Sequence, residues 1–71
     1  MIIILTNREK QILELLIKGY SNQKIADCLN ARNISITART VGFHIGNIYK
    51  KLKVKNRYQA LSVSLDLLRE A

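Results

Sequence analysis

Between Asp27 and Asp66 the sequence carries no acidic residue, and the same interval holds Arg32, Arg39, Lys50, Lys51, Lys53, Lys55 and Arg57. The chemistry this allows is ion pairing with a polyanion, because each cation set against a phosphate releases a condensed counterion. Over all 71 residues, twelve Lys and Arg stand against five Asp and Glu, a formal net charge of +7. Charge alone admits nucleic acid, an anionic membrane surface or an acidic protein as partner. Basic residues also merely solvate a surface, but one-sidedness over so long a segment favours the polyanion.

Other chemistry finds little to work with. Cys28 is the only cysteine, so no internal disulfide or multi-cysteine metal site can form. It reads as a small buried hydrophobe, consistent with a reducing cytoplasm. His44 has no acidic or cysteine partner at ligand spacing, and neither a metal nor a cofactor is expected. There are no paired carboxylates, no nucleophile–base pair and no glycine-rich phosphate loop. A catalytic cleft of about 300 Å³ or more would consume much of the core of so short a chain, so an enzyme is not expected. The apolar stretch Met1 to Leu5 is too short for a signal peptide or a membrane span, and the expected setting is cytoplasmic. That stretch is either a stub of a longer chain or a short start that packs on the core. Tyr20, Tyr49 and Tyr58 fall on different helices and read as packing residues, not as a platform for unpaired RNA bases.

The elements that must position the cations are helical. Nearly half the residues are hydrophobic and proline is absent, a composition of folded helical domains. The pattern predicts an all-α, four-helix helix-turn-helix domain occupying residues 1–71, with helices near 6–18, 21–31, 37–53 and 56–69. Thr6-Asn7-Arg8-Glu9 fits a capping box, followed at helical spacing by Ile12, Leu13, Leu16, Ile17 and Tyr20. Gly19 suits the left-handed residue that ends a helix. Ser21 caps a second helix with Ile25, Ala26 and Leu29 inward, and the polar connector 30–35 breaks it.

Thr37 caps the third helix. At 100° per residue Val41, Ile45, Ile48 and Leu52 cluster within about 60°, the core stripe. Arg39, Phe43, Gly46 and Lys50 fall opposite. An outer face with a bulky ring, two cations and a glycine is unusual for plain solvation, and Gly42 and Gly46 each cost about 1 kcal/mol of helix propensity. The cations at the end of this helix also suit the negative pole of its dipole. Asn56 caps the fourth helix, which shows two apolar stripes, Leu61, Leu65 and Leu68 against Ala60, Val63 and Leu67. One covers the core. The other, assigned to Ala60, Val63 and Leu67, is a candidate subunit interface, making a homodimer the expected state.

With these residues in place, the chain resembles the LuxR/GerE-type helix-turn-helix domains of bacterial transcription regulators. The likeness runs from Leu5 to about Ala60. Its pieces are Leu5-Thr6-x-Arg8-Glu9 with Ile12-Leu13, Gly19-x-Ser21-Asn22-x-x-Ile25-Ala26-x-x-Leu29, Ile36-Thr37-x-x-Thr40-Val41-x-x-His44-Ile45-x-Asn47-Ile48-Tyr49-x-Lys51-Leu52, and Val54-Lys55-Asn56-Arg57-x-Gln59-Ala60. The resemblance implies sequence-specific binding of double-stranded DNA, with the third helix in the major groove and the fourth pairing two subunits. On this chain's own third helix the base-reading candidates are Arg39, Phe43, Asn47 and Lys50, with Phe43 suited to a thymine methyl. Backbone contacts would come from Asn22, Lys24, Thr40, Lys51 and Arg57, and Lys50 would add one. For Thr40 and Asn47, a purely local structural role stands beside the functional one. RNA polymerase is a further partner that such a regulator can engage, and no membrane partner is implied.

Two departures set this chain apart from the pattern. Six residues separate Leu29 from Ile36 where relatives have one, which lengthens the second helix or the turn and brings in Arg32. Gly42 and Gly46 stand where relatives carry long polar residues, which thins hydrogen-bonded base readout. Two other readings remain open at this stage. One is a promoter-binding module like region 4 of a sigma factor, and the other is a basic module for an acidic protein partner.

Overall fold

In the computed structural model, which describes the backbone of residues 4–70 and the side chains of residues 4–65, the chain is all-helical. Its helices are α1 (Asn7–Ile17), α2 (Asn22–Ala31), α3 (Ala38–Leu52) and α4 (Arg57–Glu70). Each starts one residue after the cap that the sequence marks. Thr6 Oγ1 accepts from the Glu9 amide at 3.1 Å, and Glu9 Oε1 accepts from the Thr6 amide at 2.8 Å, closing the capping box. Ser21 Oγ accepts from the Lys24 amide and Thr37 Oγ1 from the Thr40 amide, both at 3.2 Å. Asn56 Oδ1 accepts from the Gln59 amide at 2.9 Å, and Gln59 reaches back to the Lys55 amide at 2.7 Å. These side chains satisfy amides that the first turn of a helix leaves without partners.

The ends of α1, α2 and α3 share one geometry. Gly19, Asn33 and Lys53 adopt left-handed φ angles of 85°, 64° and 57°. At each end two amides turn back onto the last helical carbonyls. Gly19 and Tyr20 donate to Leu16 and Leu15, Asn33 and Ile34 to Asn30 and Leu29, and Lys53 and Val54 to Lys50 and Tyr49. This is the Schellman arrangement, whose hydrophobic contact comes from the residue after the left-handed one. Here those residues are Tyr20, Ile34 and Val54, and all three pack against the core.

α1 touches all three other helices, whereas α2 and α4 do not meet among the described residues. Its buried arc is correspondingly wide. Ile12, Leu13, Leu15 and Leu16 are all enclosed, spanning about 160° at 100° per residue. Ile25, Ala26 and Leu29 of α2 and Val41, Ile45, Ile48 and Leu52 of α3 complete the core as their spacing predicts. Cys28 is half-buried at its edge.

On α4 the structure reverses the assignment of stripes. Ala60 is 0% exposed, Ser64 is 1% exposed and Val63 is half-buried against the core, while Leu65 and Tyr58 are 51% and 86% exposed. Ala60 and Val63, expected at a subunit interface, therefore belong to the core side. Leu67 and Leu68, the remaining members of the two stripes, lie outside the described side chains. Counting only apolar residues hides the reason. Ser64 donates its hydroxyl to the Ala60 carbonyl at 2.6 Å, so a small, internally satisfied serine sits in the seam. Tyr58, read as a packing residue, points outward.

The lengthened connection before α3 is built and not slack. It extends α2 through Ala31 and adds the Asn33 end. Asn30 then clamps the turn, its amide nitrogen donating at 2.8 Å to the carbonyls of both Ala26 and Ile36 and its oxygen accepting from the Ile36 amide at 3.3 Å.

Candidate nucleic-acid interface

α3 presents its core stripe to α1 and α2 and leaves the opposite face open. On that face Arg39, Phe43, Asn47 and Lys50 are exposed. With Gly42 and Gly46 they line one open trough of about 380 Å³. All four base-reading candidates thus converge on one surface. Phe43 is 66% exposed, a ring in water that no internal packing accounts for.

The backbone candidates divide into two groups. Asn22, Lys24 and Thr40 are exposed at the starts of α2 and α3, where the helix dipole is positive and amides point outward. Thr40 accepts a hydrogen bond from the Thr37 hydroxyl at 3.2 Å, which leaves its own hydroxyl proton to donate. The Lys24 ammonium lies 4.4 Å from the centre of the Tyr20 ring, a cation–π contact that steers it along the start of α2. The Asn22 amide nitrogen sits 3.5 Å from where a β-carbon on Gly42 would stand, so the α2 start and the α3 trough adjoin.

Lys51 and Arg57 are committed elsewhere. The Lys51 ammonium pairs with Glu9 Oε1 at 2.6 Å, and Arg57 Nη1 donates to the Tyr20 carbonyl at 3.0 Å. Glu9 is only 3% exposed. The hydrogen bond from Lys51, then that from the Thr6 amide, holds its carboxyl below the ordinary glutamate value against the opposing effect of burial. Sequence reasoning missed this tie, because Glu9 and Lys51 stand 42 positions apart and only the docking of α1 on α3 joins them. It also missed Asn30, which reads as one more polar residue of a connector. Among the described residues no group of His, Cys, Asp and Glu is arranged to hold a metal, and no helix is long and apolar enough to cross a membrane.

A short capped helix, a clamped turn and a longer helix with an open cationic face define a helix-turn-helix domain of the DNA-binding class. Residues 3–64 match the family described as bacterial regulatory proteins, luxR family, and the chain belongs to it. It is 47% identical over 66 residues to the probable csgAB operon transcriptional regulatory protein of Salmonella typhimurium and to the CsgBAC operon transcriptional regulatory protein of Escherichia coli. These alignments cover 93% of this chain and 28% of each relative. Over 58 residues it is 48% identical to the response regulator protein VraR of Staphylococcus aureus, covering 82% of this chain and 25% of the relative. The chain therefore spans about a quarter of the length of the curated relatives it matches. The family is one of bacterial regulatory proteins, and two of these relatives are named as transcriptional regulatory proteins of an operon.

Proposed function

We propose that residues 1–71 act as one DNA-binding domain that lays α3 in the major groove, with Arg39, Phe43 and Asn47 toward the base edges and Lys50, at the end of the trough, on the phosphate beside them. Asn22, Lys24 and Thr40 hold phosphates from the starts of α2 and α3, and a second copy pairs through α4. The observation that carries this reading is the convergence of all four base-reading candidates on one open face of α3, bordered by the amide-rich start of α2. The internal bonds of Lys51 and Arg57 give them first a structural duty, so their phosphate contacts rank behind those of Lys24 and Lys50. Membership of the luxR family favours this reading over a sigma-factor module.

The test is a fluorescence-anisotropy titration of a labelled duplex across a salt series. A protein that neutralises Z phosphates gives a log–log slope near −0.9Z. Replacing Lys24 and Lys50 with alanine is expected to flatten that slope by about 1.8, two contacts at about 0.9 each. No binding at low salt would overturn the reading and favour an acidic protein as partner.

A further inference from the structure

Gly46 lies in the interior of α3, where glycine weakens a helix relative to alanine. Nothing inside the protein requires it, since a β-carbon built there meets no atom within 4 Å. It lines the trough together with Phe43, which is 66% exposed. Arg39, Phe43, Gly46 and Lys50 follow one another along a single helical stripe, with a cation at each end and the apolar pair at the centre. At 1.5 Å per residue the two cations stand about 16 Å apart along the axis. Beside Asn47, the one hydrogen-bonding side chain near its middle, the centre of this reading face is a ring and a bare stretch of backbone. The base edges of the major groove display one apolar group, the C5-methyl of thymine.

We infer that the centre of α3 reads a thymine methyl, with Phe43 as the apolar wall and Gly46 as the open floor that lets the helix backbone close on it. This deepens the DNA-binding reading and rests on it. The missing side chain at Gly46 is then a specificity determinant, kept at the expense of helix stability. Arg39 and Lys50 anchor the ends of the stripe and fix which base step lies under its centre.

The test begins with a duplex enriched by the 71-residue chain from a randomised pool. Each thymine in turn is replaced by deoxyuridine, which removes the methyl and nothing else. At one position in each half-site binding is expected to weaken about fourfold, and Phe43→Ala is expected to erase that discrimination. Gly46→Ala should separate folding from recognition. Its melting temperature is expected to rise by about 4–8 °C, while its affinity for the enriched duplex falls roughly tenfold because the new methyl occupies the floor. Binding by the unaltered chain that ignores deoxyuridine at every position overturns the inference alone, as does a Gly46→Ala variant that binds as tightly as the original. Failure of the unaltered chain to bind any duplex overturns the DNA-binding reading beneath it.

Discussion

Glu9 is the one carboxylate among the described side chains that folding removes from water, and a single oxygen, Oε1, receives both the Thr6 amide and the Lys51 ammonium. The lowered carboxyl of Glu9 fixes the sign of its pH effect. Its stabilising contribution is fully present above the unfolded glutamate value, about 4.3, and is lost as pH falls through the lower folded value. Glu9→Gln should therefore be less stable than the parent at neutral pH, with the gap closing in acid, as read from urea midpoints at a series of pH values. Parallel curves would show that the charge contributes nothing. Lys50 and Lys51, adjacent in sequence, should behave differently. Lys51→Ala leaves a buried carboxylate short of a partner and is expected to cost about 1 kcal/mol in stability. Lys50→Ala is expected to leave stability nearly unchanged and to flatten the DNA salt slope by about 0.9. The capping role of Glu9 was legible in the sequence because it is settled within four residues. The function of Lys51 was not, because a run of lysines looks alike until the docking of α1 shows which one turns inward.

Helix starts and helix ends differ in how openly the sequence declares them. Thr6, Ser21, Thr37 and Asn56 carry side-chain oxygens that reach only three residues ahead, so their starts follow from local chemistry. Of the ends, Gly19 is declared because it accepts the left-handed backbone freely, and Asn33 tolerates it. Lys53 is not declared, since a long side chain disfavours that conformation and only the seating of Val54 on the core holds it there. Lys53→Gly is accordingly expected to stabilise the fold by about 0.5–1 kcal/mol, measured by thermal denaturation, and a loss of stability would show that Lys53 carries no strain. Asn30→Ala should cost about 1 kcal/mol by releasing the turn before α3. It should also weaken DNA binding beyond that cost, because the setting of α3 against the start of α2 depends on the clamp. The five additional residues thus convert a tight turn into a capped and bridged one. Periodicity alone could count them but could not place them.

At the scale of the molecule, the question is how two copies would share one site. The domain measures 32 × 23 × 18 Å, and half-sites one helical turn apart are separated by about 34–36 Å. Two copies set with their long axes along the DNA would meet with little gap, and the surface between them must be one that DNA does not need. α4 meets that condition. It packs on α1 and α3 but not on α2, so covering it leaves Asn22 and Lys24 open. Its outward stripe of Tyr58, Leu61 and Leu65 continues into a recess lined by Gly19, Arg57, Tyr58 and Leu61, which provides both a ring and a place to receive one. Leu65→Glu tests this arrangement with little risk to the fold, since Leu65 is 51% exposed and a surface change of this kind is usually worth within about 0.5 kcal/mol. The variant is expected to sediment as a monomer where the parent dimerises, and to bind one half-site as the parent does while losing the added affinity of two. Ala60→Glu, at a fully enclosed position, should instead unfold the domain. A Leu65→Glu variant that still dimerises, or a parent that binds two half-sites no better than one, would place the contact between copies elsewhere than on this face of α4.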